Sequence, residues 1–206
     1  MGKKIIIAID AMGGDNSPEK VLNGINLHSK SSYNVFYNIF GNSKLINKLI
    51  SKSIPKSSYE IFDSINDVKG TDSPLSAAKK GNKTSMWLAI DSVKNKNSDI
   101  VVSAGNTGAL FVIAKLNLKM IENIDKPALS GLWPNKIGTN IVLDLGASID
   151  CSEKNLVDFS LMGSALYKAL YPNDNPKVAL LNIGSEEIKG NDTIKNTYKQ
   201  LSIEKN

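Results

Sequence analysis

The chain has 206 residues, 41% of them hydrophobic, which is enough apolar material for a sizeable α/β core and excludes an intrinsically disordered chain. Its net charge of +5 raises nucleic acid as a partner, yet all 25 basic residues are lysine and aromatics make up only 6%; base readout leans on arginine, so no nucleic-acid partner is expected. A single cysteine, Cys151, excludes an internal disulfide, and the lone His28, assigned a surface or cap role, has no companion at metal-ligand spacing; a reducing cytoplasm, no metal and no cofactor are the expectations.

Lys3 to Asp10, with IIIAI flanked by charge, predicts a first strand. Its apolar run is too short for a secretion signal, and no run in the chain approaches the roughly 18 residues that span a bilayer. The strand runs into AMGGDNSPE, where Ser17 is the expected N-cap and Pro18 the first helical residue. Gly13 and Gly14 therefore sit between a strand end and a helix start, flanked by Asp10 and Asp15. Asn34 to Phe40 predicts a second strand, Asn42 to Lys52 a short amphipathic helix and Ser58 to Phe62 a third strand. Ser73-Pro74 starts another helix, and Lys79, Lys80 and Lys83 fall in a polar run read as solvated. The tail GNKTS departs from the phosphate-loop pattern G-x-x-x-x-G-K-[ST], because Asn82 separates Gly81 from Lys83. Met86 to Val93 continues as a helix, with Met86 and Trp87 in the core.

The stretch Asp99 to Leu118, DIVVSAGNTGALFVIAKLNL, reads as strand, loop and helix. Ile100, Val101 and Val102 are contiguous and β-branched, which predicts a strand buried on both faces of a parallel sheet. Ser103 to Asn106 turns the chain. Gly105 and Gly108 let backbone approach a ligand, and the following helix would aim free N–H groups and its positive dipole end there, an anion site in outline. Asn106 and Thr107 are the polar side chains of this loop.

Lys126 to Trp133 and Asn140 to Leu145 predict two strands joined by a Pro-Asn turn, the second ending in Asp144-Leu145-Gly146-Ala147-Ser148. Ser152 caps a helix from Glu153 to about Leu170. Pro172 to Pro176 is a loop, Lys177 to Ile183 predicts another buried strand, and a last helix spans Asp192 to Ile203. Strands and helices alternate without a linker or repeat, which predicts a single three-layer α/β/α domain over 1–206 with a mostly parallel sheet.

The constellation is a set of strand-to-loop junctions: DAMGGD, SAGNTGA, DLGAS and NIGSEEIKGN. Parallel neighbouring strands would bring their carboxyl ends to one cleft holding Asp10, Asp15, Asp144, Asn106, Thr107 and Lys189. Its chemistry suits an oxyanion, and without arginine a phosphate must be held by backbone N–H groups, hydroxyls, asparagine or lysine.

In this order and spacing, IAIDAMGGDNSPE, SAGNTGA, DLGASIDC and LLNIGSEEIKGN resemble the PlsX family of phosphate acyltransferases over essentially the whole chain. The resemblance implies formation of acyl phosphate from acyl-[acyl-carrier-protein] and orthophosphate in phospholipid biosynthesis. It also implies a fold related to isocitrate and isopropylmalate dehydrogenases and to phosphotransacetylases, a homodimer, and peripheral contact with the inner face of the membrane. Lys189 and Asn106 are the expected catalytic residues. Asp10, Gly13, Gly14, Asp15, Ser103, Gly105, Thr107, Gly108, Asp144, Gly146, Asn182, Gly184, Glu186 and Asn191 are the expected phosphate- or substrate-binding residues, with Glu186 and Glu187 orienting Lys189. Ser148 departs from the family's usual Asn, and AAKKGNK lacks the arginine usual after Asp72-Ser73-Pro74. Family chains also continue well past Asn206, so little turnover is expected of the 206 residues alone. Two other readings stand beside this one. An actin-like small-molecule kinase would explain AIDAMGG and VLDLGAS, although Met12 occupies a position where those loops carry glycine. A catalytically inactive remnant would keep only phosphate binding or dimerisation.

Overall fold

The computed structural model describes residues 4–31, 34–186 and 188–203 and divides into two compact units, 1–119 and 120–206. In the first unit, β1 (Ile5–Asp10), β2 (Val35–Gly41), β3 (Tyr59–Asp63) and β4 (Ile100–Ser103) form a four-stranded, all-parallel sheet in the order β3-β2-β1-β4. Lys3, placed in the first strand by sequence, lies outside the described residues.

Helices cover both faces of this sheet, because alternate side chains of each strand are apolar on both sides. On one face, Ile9, Tyr37 and Ile39 pack under Leu22 and Ile25 of α1 (Glu19–Ser29) and Ile46 of α2 (Ser43–Leu49). On the other face, Ala8, Phe40 and Val101 meet α4 (Ser85–Lys94), and its Met86 and Ile90 pack with Ala77 of α3 (Pro74–Lys80) and with Ala109 and Ile113 of α5 (Thr107–Leu118). Met86 is fully buried and Trp87 partly so, as expected of core residues. His28 is exposed on α1, with its Nδ1 2.7 Å from the Tyr37 hydroxyl.

The second unit contains β5 (Gly131–Pro134) and β6 (Thr139–Val142), paired antiparallel, followed by α6 (Glu153–Leu170) and α7 (Asp192–Ile203). Ser152 caps α6 in a reciprocal box with Asn155: the Asn155 N–H donates to the Ser152 hydroxyl, and the Ser152 N–H donates to Asn155 Oδ1.

Several local expectations are corrected. Ser17 does not cap α1; its hydroxyl donates back to the Gly13 carbonyl, and the helix starts at Glu19 after Pro18, whose backbone is already helical. Residues 126–130 are not strand, since only the four residues from Gly131 find a partner ladder. Lys177 to Ile183 is not a strand and is not buried: Leu181 is 92% exposed and Ile183 84%. Its β-forming sequence has no ladder partner among the described residues, and backbone hydrogen bonds across a sheet are what a strand requires. Ile100 and Val102 are half-exposed rather than buried on both faces, because β4 is the outer strand of the sheet. Lys80 is not solvated as expected but is partly covered in an ion pair with Asp72.

Candidate functional site

Parallel pairing of β1 with β4 puts Asp10 beside Ser103, so the DAMGGD and SAGNTG loops leave the sheet side by side at its carboxyl edge. Asp10 joins them. It is 1% exposed; Ser85 donates to Oδ1 at 2.6 Å, Ser103 donates to Oδ2 at 2.7 Å, and the Met12 N–H donates to Oδ1 at 3.3 Å. Burial raises the Asp10 pKa above the usual carboxylate value, while the Ser85, Ser103 and Met12 hydrogen bonds pull the other way. The Gly105 N–H in turn donates to the Ser103 hydroxyl oxygen, so a chain of bonds runs from the first strand into the second loop.

Packing explains the glycines of these loops. A Cβ on Gly13 would stand 2.6 Å from Asp10 Oδ2 and 2.8 Å from the Gly105 nitrogen. Gly14 adopts φ +88°, and a Cβ there would stand 2.5 Å from the Ala104 carbonyl oxygen. A Cβ on Gly105 would approach Met86 and Gly13, and one on Gly108 would approach Pro74 at 2.9 Å. A valine at Gly105 therefore disturbs the seam between the two loops as well as any space open to an anion.

Asn106 is the N-cap of α5, with Oδ1 accepting from the Ala109 N–H at 3.0 Å, and its Nδ2 donates to the carbonyls of Asp72 at 2.9 Å and Gly70 at 3.1 Å. Both amide hydrogens are thus engaged in holding the Gly70–Asp72 turn against the α5 N-terminus. The carboxylate of Asp72 is held below its usual pKa, chiefly by the Lys80 ammonium and also by the Lys69 N–H. Sequence reasoning left this turn, Lys80 and Ser85 out of the site; the Ser73-Pro74 helix start was the available signal that the segment is ordered. Thr107 and Asp15 are exposed beside these loops, and the N–H groups of Thr107 and Gly108 open the helix without a partner within it.

In the second unit, Asp144 organises the loop after β6. Its Oδ1 accepts from Leu129 N–H at 2.9 Å and Ala147 N–H at 3.3 Å, and its Oδ2 accepts from Ser148 N–H at 2.8 Å. Gly146 takes φ +86° in that loop. Asn182 donates to the Lys189 carbonyl at 3.3 Å, which closes the loop that contains Gly184, Glu186 and Lys189. Asn191 accepts from the Ile194 N–H at the start of α7. Lys189 is half-buried, and among the described residues no carboxylate pairs with its ammonium. Glu187 lies outside the described residues. Among the described residues no cluster of metal-ligating side chains occurs.

The family model described as "Fatty acid synthesis protein" matches residues 5–206. A phosphate acyltransferase of Pelagibacter ubique is 67% identical over 206 residues, which are all of this chain and 62% of that protein. One from Bradyrhizobium diazoefficiens is 41% identical over 203 residues, 98% of this chain and 58% of that protein. The chain thus spans about three-fifths of the length of these relatives. Among solved structures, the EutD phosphotransacetylase from Staphylococcus aureus aligns with a TM-score of 0.63 at 16% identity, over 97% of this chain and 64% of that one, a likeness of fold. With nearly the whole chain matched by the family model and by relatives at this identity, the chain belongs to the PlsX family of fatty acid synthesis proteins.

Proposed function

We propose that this protein is a phosphate acyltransferase that makes acyl phosphate from acyl-[acyl-carrier-protein] and orthophosphate, in the service of lipid synthesis. The observation that carries the reading is the pair of glycine loops set side by side at the carboxyl ends of β1 and β4, next to the N-terminus of α5, in a chain whose relatives bear that name. In the reaction a phosphate oxygen attacks the thioester carbonyl carbon, the new C–O bond forms, the C–S bond breaks, and the carrier leaves as a thiolate that takes up a proton. No covalent enzyme nucleophile is needed, so the protein's task is to position phosphate and to stabilise the oxyanion on the carbonyl.

In the first unit, Gly13, Gly14, Ser103, Gly105, Thr107 and Gly108 shape the phosphate cradle, with Asp10 as its keystone and Asp15 at its rim. Asn106 serves it by capping α5 and fixing the loop. In the second unit, Asp144 and Gly146 shape one loop. Asn182, Gly184, Glu186 and Asn191 shape another, which presents Lys189 as the catalytic cation. The proposal includes a homodimer that touches the inner membrane face; among the described residues no helix is long and apolar enough to cross a membrane.

The test follows acyl phosphate as hydroxamate whose formation depends on added orthophosphate, in a chimera where these residues replace the matched part of the longer relative. Lys189→Met is expected to lower the rate about a hundredfold at unchanged melting temperature, the size of effect seen when one oxyanion-stabilising group is lost. Orthophosphate-independent product, or normal turnover by the variant, would remove the respective assignment.

A further inference from the structure

On the α4 face of the sheet, a cleft of about 600 Å³ opens between α4 and the outer strand β3, and none of its lining residues belongs to the glycine loops or to the hydrogen-bond network of Asp10. Strand register builds its floor. β2 and β3 pair in parallel with Asn38 beside Glu60 and Phe40 beside Phe62, and the alternation of side chains puts Phe36 on the same face. Phe40 and Phe62 stack with ring centroids 4.8 Å apart, and Phe36 and Phe62 are only partly buried. Asn38 is out of place in this floor: it is an amide on an inner strand, 6% exposed. Its Nδ2 donates to the Asn97 carbonyl at 3.2 Å and to the Ser98 hydroxyl at 2.9 Å, so both amide hydrogens are engaged. Among the described residues no N–H or O–H donates to its Oδ1, although the side chain lines the cleft. Buried amide oxygens are almost always paired, so an acceptor left open here calls for a donor that enters the cleft. Ser92 lines the cleft too, with its hydroxyl 2.8 Å from that of Ser98. With Ser98 donating to Ser92, the Ser92 proton is free to donate. An acceptor and a donor, both tied to Ser98, thus stand next to aromatic rings.

We propose that this cleft binds a 6-aminopurine nucleoside. The exocyclic amino group of the ring donates to Asn38 Oδ1, and the adjacent ring nitrogen accepts from the Ser92 hydroxyl. The ring face lies against Phe36 and Phe62, the partly open members of the aromatic floor. The mouth carries the carboxylates of Glu60 and Asp91 against the single ammonium of Lys96. Ribose hydroxyls donate to such carboxylates, whereas a 5′-phosphate is repelled by them, so the class that fits is the nucleoside rather than the nucleotide. The inference does not rest on the acyl-transfer reading and shares no residue with its site.

The experiment titrates adenosine, inosine and AMP into the 206-residue chain, followed by calorimetry and by backbone amide chemical shifts. Adenosine is expected to saturate a single site and to move the amides of residues 36–40, 60–62 and 88–97. Inosine, whose oxo group and ring N–H reverse the donor–acceptor edge, should bind about tenfold or more weakly, because its oxygen then faces Asn38 Oδ1. AMP should also bind more weakly than adenosine, and millimolar orthophosphate should leave adenosine binding unchanged. Ser92→Ala should weaken adenosine about tenfold at an unchanged melting temperature, and Asn38→Leu should abolish binding. Where the leucine variant does not fold, the inosine comparison puts the same question to the unaltered protein. No saturation at millimolar adenosine would overturn the inference and leave Asn38 Oδ1 to a water. So would inosine that binds as tightly as adenosine. AMP that binds more tightly than adenosine, with shifts confined to residues 10–15 and 103–108, would overturn it too, by assigning the ligand to the glycine loops.

Discussion

Asp10 shows how one side chain fixes two loops. It is almost wholly buried, yet its partners are two hydroxyls and a backbone N–H rather than a cation. Asp10→Ala leaves these donors facing a void, and a loss of about 1–3 kcal/mol in urea unfolding is expected. Because burial raises the folded-state pKa above the unfolded one, the folded protein holds this proton more tightly. The Asp10 contribution is therefore most favourable at acid pH and declines as pH rises through the interval between the two values. A stability–pH profile of the wild type minus that of Asp10→Asn should fall across that interval; a difference that rises with pH would contradict the assignment. Two glycines make a second residue-scale test. Gly13→Ala drives a Cβ into Asp10 and the Gly105 backbone, whereas Gly24, in the middle of α1, has nothing within 4 Å of an added Cβ. The first substitution should lower the melting temperature, and the second should stabilise the chain by about 0.5–1 kcal/mol through helix propensity.

Among the elements, α6 announces itself most fully, with a capping serine, an apolar stripe and a carboxylate in its first turn. Ser152→Ala breaks the reciprocal box and should cost about 1 kcal/mol of stability, measured by thermal unfolding, while Ser152→Asp should retain most of it. The loops show the opposite case. Asn106 was legible as a polar residue at a helix start, but its double donation to Gly70 and Asp72 depends on a turn more than thirty positions away. The same holds for Ser85, whose partner Asp10 lies 75 positions earlier, whereas Lys80 meets Asp72 from only eight positions away, across the Ser73-Pro74 helix start.

At the scale of the molecule, the two units differ in how much they bury. All three apolar clusters lie in the first, whereas in the second Phe159 is the one apolar residue among the described core, and Ile137, Ile149, Leu181, Ile183 and Ile188 are exposed. Local stability follows buried apolar contact, so amides of β1, β2 and α4 should be the slowest to exchange and those of β5, β6 and 177–186 among the fastest. Comparable protection in both units would contradict that ordering.

The sequence by itself determined the elements whose signal is local. β1 to β3 come from short apolar or alternating runs, α3 and α6 from their serine caps, and α7 from its period, because side-chain periodicity and capping act within a few residues. It also determined the family, through motifs whose order survives without any knowledge of contacts. Tertiary structure alone decided that β4 lies at the edge of its sheet, that Ser17 turns back to Gly13, and that Lys177 to Ile183 stays out of a ladder. It alone joined Asp10 to Ser85 and Ser103 across 75 and 93 positions. Pairing and burial depend on partners distant in the chain, and a strand-forming or polar residue carries no record of which partner it will meet.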